Sequence, residues 1–243
     1  MKIQNEYLVL EEEDIHKMKI KKISGHSFVG LIGLDKYKKV GDVLLEMHGF
    51  IKSEVDPKWL KRGQLAENIV LKVYERNHKC ITYDKKIINY DNFQTYKNCG
   101  GLIDIEIPSE NTLIEVKSKS MKDYEKICEK QPEVEIYQAL YYGYLRGYKE
   151  ITMEWIFFDK ETEEEVFSGK KPTTLMNLKR LSKKFSVDEN EIKQLIVKAL
   201  KIVQIFRNEK RILLSDISGS IAKILNLIGN DLTIIEDGEK VQL

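Results

Sequence analysis

The segment "TLIEVKSKS" at 112–120 sets an acid and an amine, Glu115 and Lys117, two residues apart among the apolar Leu113, Ile114 and Val116. In an extended chain successive side chains turn to opposite faces, so Glu115 and Lys117 share one face and Ile114 and Val116 pack on the other. Just upstream, "GGLIDIEI" at 100–107 alternates in the same way, with Asp104 and Glu106 opposite the isoleucines. Pro108, Ser109, Glu110 and Asn111 have the composition of a connecting turn. A hairpin there brings Asp104 and Glu115 together with Lys117 beside them. Two converging carboxylates suit a hard divalent cation, Mg²⁺ with Mn²⁺ as a substitute, which activates a water or steadies charge on a phosphoryl oxygen. The corresponding chemistry is phosphodiester hydrolysis, with Lys117 orienting the attacking water or helping to deprotonate it. The same three residues also fit an edge hairpin whose charges face water as an ordinary ion pair.

Two helices extend the set. Residues 58–77 read as a long helix on which Glu67, Val70, Leu71 and Tyr74 share a face. A carboxylate among apolar neighbours is costly to bury without a cation or donors opposite it, which makes Glu67 a third metal ligand, direct or through water. A bond to Arg62 or Lys61 is the alternative. In "EIYQALYYGYL" at 135–145, Gln138, Tyr141, Tyr142 and Leu145 share a helical face. Gln138 both donates and accepts, and Tyr142 one turn later is placed to contact a phosphate or steady the amide. Tyrosines at this spacing also serve as plain packing.

The elements that must position these residues follow from periodicity. "ISGHSFVGLIG" at 23–33 predicts a short helix capped by Ser24 and closed by Gly33, and a second follows at about 40–48, ended by Gly49. Strands are expected at 80–90, 93–107 and 112–118, a helix at 133–146 and a core strand at 151–159. This order predicts an α/β (α+β) fold in which a mixed central sheet is flanked by helices. Residues 173–211 read as a mainly helical appendage, with its apolar stripe on Ile192, Leu195, Ile196, Ala199, Ile202, Val203 and Phe206. The segment 212–243 has no decided pattern. The division expected is a core at 1–165 and a basic helical region at 166–243.

Composition excludes several classes. No apolar run reaches the roughly 18–20 residues that cross a bilayer, and the N-terminus has no signal-peptide segment, so a cytoplasmic protein without membrane partners is expected. Cys80, Cys99 and Cys128 have neither zinc-site spacing nor the even number of a disulfide framework. Gly25, Gly30 and Gly33 form no phosphate-binding or dinucleotide fingerprint. His16, His48 and His78 are scattered and read as surface or turn residues. The net charge of +1 conceals a local excess, twelve Lys or Arg against four acids over 170–211, which suits either a polyanion or an ordinary solvated surface.

Five fragments in order, "ISGHSFVGLIGLDKYKKVGDVLLEMHG" (23–49), "KRGQLAENIV" (61–70), "GGLIDIEI", "LIEVKSK" and "EIYQALYYGYL", resemble the PD-(D/E)xK nuclease superfamily. More narrowly they are similar to its phage-type exonucleases, the lambda-exonuclease or YqaJ-like viral recombinases, over about residues 20–160. The resemblance implies a restriction-endonuclease-like fold. It also implies metal binding by Asp104 and Glu115, with Glu67 as the additional helix acid, and a catalytic role for Lys117. Gln138 and Tyr142 form its Q-x-x-x-Y element near the substrate strand. Relatives set a Thr/Ser-x-Ser-Arg-like pattern against the terminal phosphate. Here the stretch is Ser24-Gly25-His26-Ser27, without the arginine, which leaves His26, Ser27 or Lys22 to substitute, with exposed N–H groups at the helix start. The resemblance further implies double-stranded DNA as substrate, degraded from a 5′ end, a homo-oligomer (trimer or dimer), and a single-strand annealing protein as partner in a bacterial or phage-infected cell. A restriction-type endonuclease with its recognition region in 170–243, a RecB-like nuclease domain, and a non-catalytic DNA-binding or assembly module on the same scaffold are the rival readings.

Overall fold

The computed structural model describes residues 1–52, 56–84, 88, 91–170 and 178–219, and the backbone of 233–236 and 239–242. In chain order the elements begin with strands β1 (Lys2–Gln4) and β2 (Tyr7–Val9) and helices α1 (Glu12–Lys17), α2 (Gly25–Leu31), α3 (Val40–Met47) and α4 (Pro57–Tyr74). Next come β3 (Ile105–Ile107), β4 (Thr112–Ser120), α5 (Tyr124–Glu129), α6 (Glu133–Arg146), β5 (Glu150–Phe158) and α7 (Lys160–Phe167). The chain closes with β6 (Lys179–Ser186), α8 (Glu189–Glu209), β7 (Arg211–Leu213), β8 (Thr233–Glu236) and β9 (Glu239–Gln242). Two compact units result, one of Met1–Ser53, Lys97–Cys99 and Gln194–Leu243, the other of Glu54–Tyr96 and Gly100–Lys193.

The second unit holds a mixed sheet in the order β3-β4-β5-β6. β3 and β4 are antiparallel, joined by a 3₁₀ turn at Pro108–Glu110 and by Asn111, which adopts the left-handed conformation that asparagine tolerates better than most residues. β4 and β5 run parallel, Thr112 opposite Glu150 through Ser120 opposite Phe158, and α5 with α6 makes the crossover that parallel pairing needs. The two faces differ as the alternation predicts. Ile105, Ile107, Ile114 and Val116 pack with Ala66 and Val70 of α4 and with Ile156 and Phe158 in one apolar cluster. Glu115 and Lys117 turn to the other face, where α6 lies. This mixed sheet between helices, with a mainly helical C-terminal region, is the restriction-endonuclease-like architecture.

The first unit carries a five-stranded sheet in the order β7-β2-β1-β8-β9. Its α2 starts where Ser24 accepts a hydrogen bond from the Ser27 N–H at 3.3 Å, and Gly33 beyond its end has φ +86°. His48, expected at the surface, is instead buried at 0% exposure. Its Nδ1 donates to the Leu44 carbonyl at 2.8 Å, its Nε2 accepts from Arg207 Nε at 3.0 Å, and its ring meets Phe206 edge-on. Burial depresses its pKa below the ordinary histidine value, the Leu44 hydrogen bond pulls the other way, and the cations Arg207, Lys210 and Lys21 add to the depression.

Three local expectations change. The strand expected at 93–107 shrinks to β3, because side chains take the backbone of its first part into a loop. Asp91 Oδ1 accepts from the Phe93 and Gly101 N–H groups at 2.8 and 3.2 Å, and Asn92 Oδ1 accepts from the Ile103 N–H at 2.7 Å. Of the strand expected at 80–90, Ile81 forms a single bridge to Glu106, and 85–87 with 89–90 lie outside the described residues. Within 173–211, Lys179–Ser186 is a strand, antiparallel to β5, with Leu181, Lys183 and Phe185 the less exposed of its alternating residues. At the end of the strand order it is an edge, where lysines suit. The undecided 212–243 contributes β8 and β9.

Candidate active site

The site grows from the side of β4 that faces α6. Lys117 Nζ donates to Glu115 Oε1 at 2.7 Å and to Gln138 Oε1 at 3.1 Å, and Gln138 Nε2 donates to the same Glu115 oxygen at 3.0 Å. The three side chains close a triangle that an i, i+2 pair on a strand and one amide on the crossing helix are enough to build. The Glu115 side chain is 3% exposed and that of Lys117 20%. Glu115 Oε2 is buried and has no hydrogen-bond partner among the described residues.

Asp104 stands one residue before β3, and its Oδ2 accepts from the N–H of Val116, the residue after Glu115, at 2.8 Å, so its carboxylate lies against β4. Burial pushes the Glu115 carboxyl up to about 8; Lys117 opposes this, and the negative charges of Asp104 and Glu67 add to it. Burial pulls Lys117 down, but the carboxylates of Glu115 and Asp104 outweigh it and hold the ammonium above the ordinary lysine value.

Glu67 is half-buried on α4, the helix whose Ala66 and Val70 pack against the sheet. Among the described residues no three His, Cys, Asp or Glu side chains form a group able to hold a metal ion. The charges of Asp104 and Glu67 both act on Glu115. Two observations still fit a divalent cation near Glu115: an all-oxygen donor set, and a buried carboxylate oxygen without a donor.

Tyr142 is 3% exposed and stacks on Phe93 with ring centroids 5.7 Å apart. A Cβ placed on Gly101 would stand 2.5 Å from its Cε1 and 2.6 Å from its hydroxyl. Its ring therefore packs directly on the loop that leads to Asp104, and Gly101, at φ +139°, is the residue that lets it do so. Ser24, His26 and Ser27 belong to the other unit. There Ser24 Oγ caps α2 and lies 3.2 Å from Ser27 Oγ, while exposed His26 has Nε2 3.3 Å from Lys38 Nζ, which also donates to Glu46 at 2.8 Å. Arg62, considered as a partner for Glu67, is paired with Glu163 and donates to Ser118.

Sequence reasoning missed a second group on the same sheet face. Lys119, two residues beyond Lys117, is ion-paired with Glu135, which sits three residues before Gln138 on α6. Trp155 Nε1 donates to the other Glu135 oxygen at 2.7 Å. The alternation that joined Glu115 to Lys117 extends to Lys119, and the helical spacing that singled out Gln138 extends back to Glu135.

The model of the YqaJ-like viral recombinase domain matches residues 14–151, more than half of the chain and all of its β4 and α6 side chains discussed above. The chain belongs to this family. Among solved structures it is similar to a phage-related exonuclease from Haemophilus somnus 129PT, at 15% identity and TM-score 0.54 over 78% of this chain and 95% of that one. It is also similar to the alkaline exonuclease LHK-Exo from Laribacter hongkongensis, at 12% identity and TM-score 0.53 over 82% of this chain and 94% of that one. The LHK-Exo complex with dAMP matches at 12% identity and TM-score 0.53 over 77% of this chain and 89% of that one. At these identities the likeness is one of fold. No curated protein sequence matches the chain. Among the described residues no helix is long and apolar enough to cross a membrane.

Proposed function

We propose that this YqaJ-family chain is a Mg²⁺-dependent deoxyribonuclease that hydrolyses phosphodiester bonds of duplex DNA from an end, with 5′-to-3′ polarity, in phage-type recombination. The observation that carries the reading is the buried Glu115 side chain, which shares one oxygen with Lys117 and Gln138 and leaves the other without a partner among the described residues. The two structural neighbours, a phage-related exonuclease and the alkaline exonuclease LHK-Exo, support the same reading. Glu115 and Asp104 are the ligands proposed for the cation, with Glu67 as a further acid. When bound, the cation supplies positive charge at the scissile phosphate and acidifies a water.

The chain's own groups do the rest. Lys117, whose Nζ is held by Glu115 and Gln138, orients the attacking water or helps to deprotonate it. Gln138 fixes both Glu115 and Lys117 and thereby sets the direction of that Nζ. Tyr142 acts through Gly101 and the loop before Asp104. Ser24, His26 and Ser27 are assigned to the DNA end, and 166–243, with basic α8, to a DNA arm or subunit contact outside a 1–165 nuclease core. A homo-oligomer and a single-strand annealing partner complete the reading.

The test uses the protein with Mg²⁺ and either a linear duplex bearing 5′-phosphates or the same DNA as a covalently closed circle, with Glu115→Ala as the control. Progressive loss of the linear form with the circle intact is expected. Discrete cuts in both forms would replace the exonuclease by a restriction-type endonuclease, and equal digestion by Glu115→Ala would remove the site from the chemistry.

A further inference from the structure

α6 addresses β4 twice. Gln138 reaches Lys117 and Glu115, and three residues earlier Glu135 reaches Lys119. The second Glu135 oxygen accepts from Trp155 Nε1 at 2.7 Å. Trp155 is opposite Lys117 in the β4–β5 register, so its indole lies beside Lys117 on the same face of the sheet. Glu135 is 14% exposed and Lys119 25%, while Trp155 is fully buried. One carboxylate on the helix is thus held by a donor from each of the two central strands. Of these only the indole is fully buried, which makes it the anchor of the arrangement. The Glu135 charge also reaches Lys117.

Resting on the nuclease reading above, we infer that Glu135 is a positioning residue: clamped between Trp155 and Lys119, it fixes α6 on β4 and so sets where Gln138 holds Lys117. It touches neither substrate nor cation, and Lys119 serves as its counter-charge, not as a phosphate contact. Just under one turn of helix separates Glu135 from Gln138, so a loosened clamp moves the amide directly, and catalysis is sensitive to displacements of about 1 Å. Because Glu135 and Lys119 act as one unit, losing either member should cost what losing both costs.

The experiment compares steady-state digestion of a 5′-phosphorylated linear duplex with Mg²⁺ by the wild type, Glu135→Gln, Lys119→Met, the double variant and Lys119→Arg. The expected result is a fall in kcat of about 10–100-fold for each single variant, the range found when groups behind a catalytic shell are removed. KM should stay within about threefold of the wild type, the double variant should be no slower than the slower single one, and Lys119→Arg should recover most of the rate. With two tryptophans in the chain, Trp155 fully buried and Trp59 44% exposed, the buried indole N–H resonance reports on the clamp. It should shift in Glu135→Gln while remaining a single sharp signal, which separates lost positioning from lost folding. A rise in KM with kcat unchanged in Lys119→Met would overturn the inference in favour of direct DNA contact, and unchanged kinetics in both singles would overturn it outright. An active wild type with either of those outcomes leaves the nuclease reading standing, whereas a wild type inactive on every DNA form overturns that reading and this inference with it.

Discussion

A buried carboxylate with one oxygen unprovided for is expensive to keep. Glu115 has such an oxygen, and its carboxyl is pushed up to about 8 mainly by burial. A residue that only stabilised the fold would be better served by an apolar side chain, a cost that supports the proposed cation at this position. Mg²⁺ should therefore stabilise the folded protein through Glu115. At ten times its Kd, a ligand of the folded state adds about 1.4 kcal/mol, and a thermal melt should show the rise for the wild type and lose most of it for Glu115→Gln. An equal rise in both would place the cation elsewhere. The same substitution should slow DNA digestion by a factor on the order of 10³, the equivalent of about 4 kcal/mol of lost metal-assisted stabilisation.

At the scale of elements, the loop before β3 determines where Asp104 stands. It is held by Asp91 and Asn92 and by the Tyr142 ring against Gly101. Gly101→Ala puts a methyl 2.5 Å from that ring at φ +139°, a combination of overpacking and backbone strain that should cost about 1–3 kcal/mol. Urea unfolding would measure it, and a variant as stable as the wild type would show that the ring yields without consequence. The same loop marks what the sequence could not disclose. Its apolar residues suggested a strand from 93 onward, but the turns made by Asp91 and Asn92 are long-range in effect and have no periodic signal. The elements with a strong period were legible: α6 spans Glu133–Arg146, as expected, and the β3–β4 hairpin places Asp104 beside β4. Strand β6 was hidden because "KRLSKKFS" alternates only through Leu181 and Phe185, with lysines elsewhere, and its extended state comes from pairing with β5. The candidate site was legible in Glu115, Lys117 and Gln138, whose contacts follow from strand and helix spacing. Glu135 was not, since nothing local says that Trp155 comes to it from another strand.

Across the molecule, the unit built on both chain termini contains a titration that the whole fold should feel. Neutral His48 is locked between the Leu44 carbonyl and Arg207, with its pKa held below 6.5, mainly by burial. The unfolded chain has an ordinary imidazole and binds the extra proton first, so stability rises with pH where the two states differ. This contribution is fully present above about pH 6.5 and is lost as pH falls towards the folded-state pKa. Urea unfolding at a series of pH values should show that decline in the wild type and a flatter curve in His48→Gln; parallel curves would mean that the proton enters without breaking the Arg207 contact.

The central claim is that the Glu115–Lys117–Gln138 triangle breaks phosphodiester bonds, and one comparison addresses it most directly. Nucleotide release from a 5′-phosphorylated linear duplex should be measured with and without Mg²⁺ for the wild type and for Lys117→Ala, alongside the affinity of each protein for the same duplex. The wild type should release nucleotides only when the cation is added, and Lys117→Ala should bind the duplex within a few-fold of the wild type while releasing almost none. Comparable release by Lys117→Ala would contradict the account, because the ammonium that the triangle is built to hold would then have no part in the cleavage.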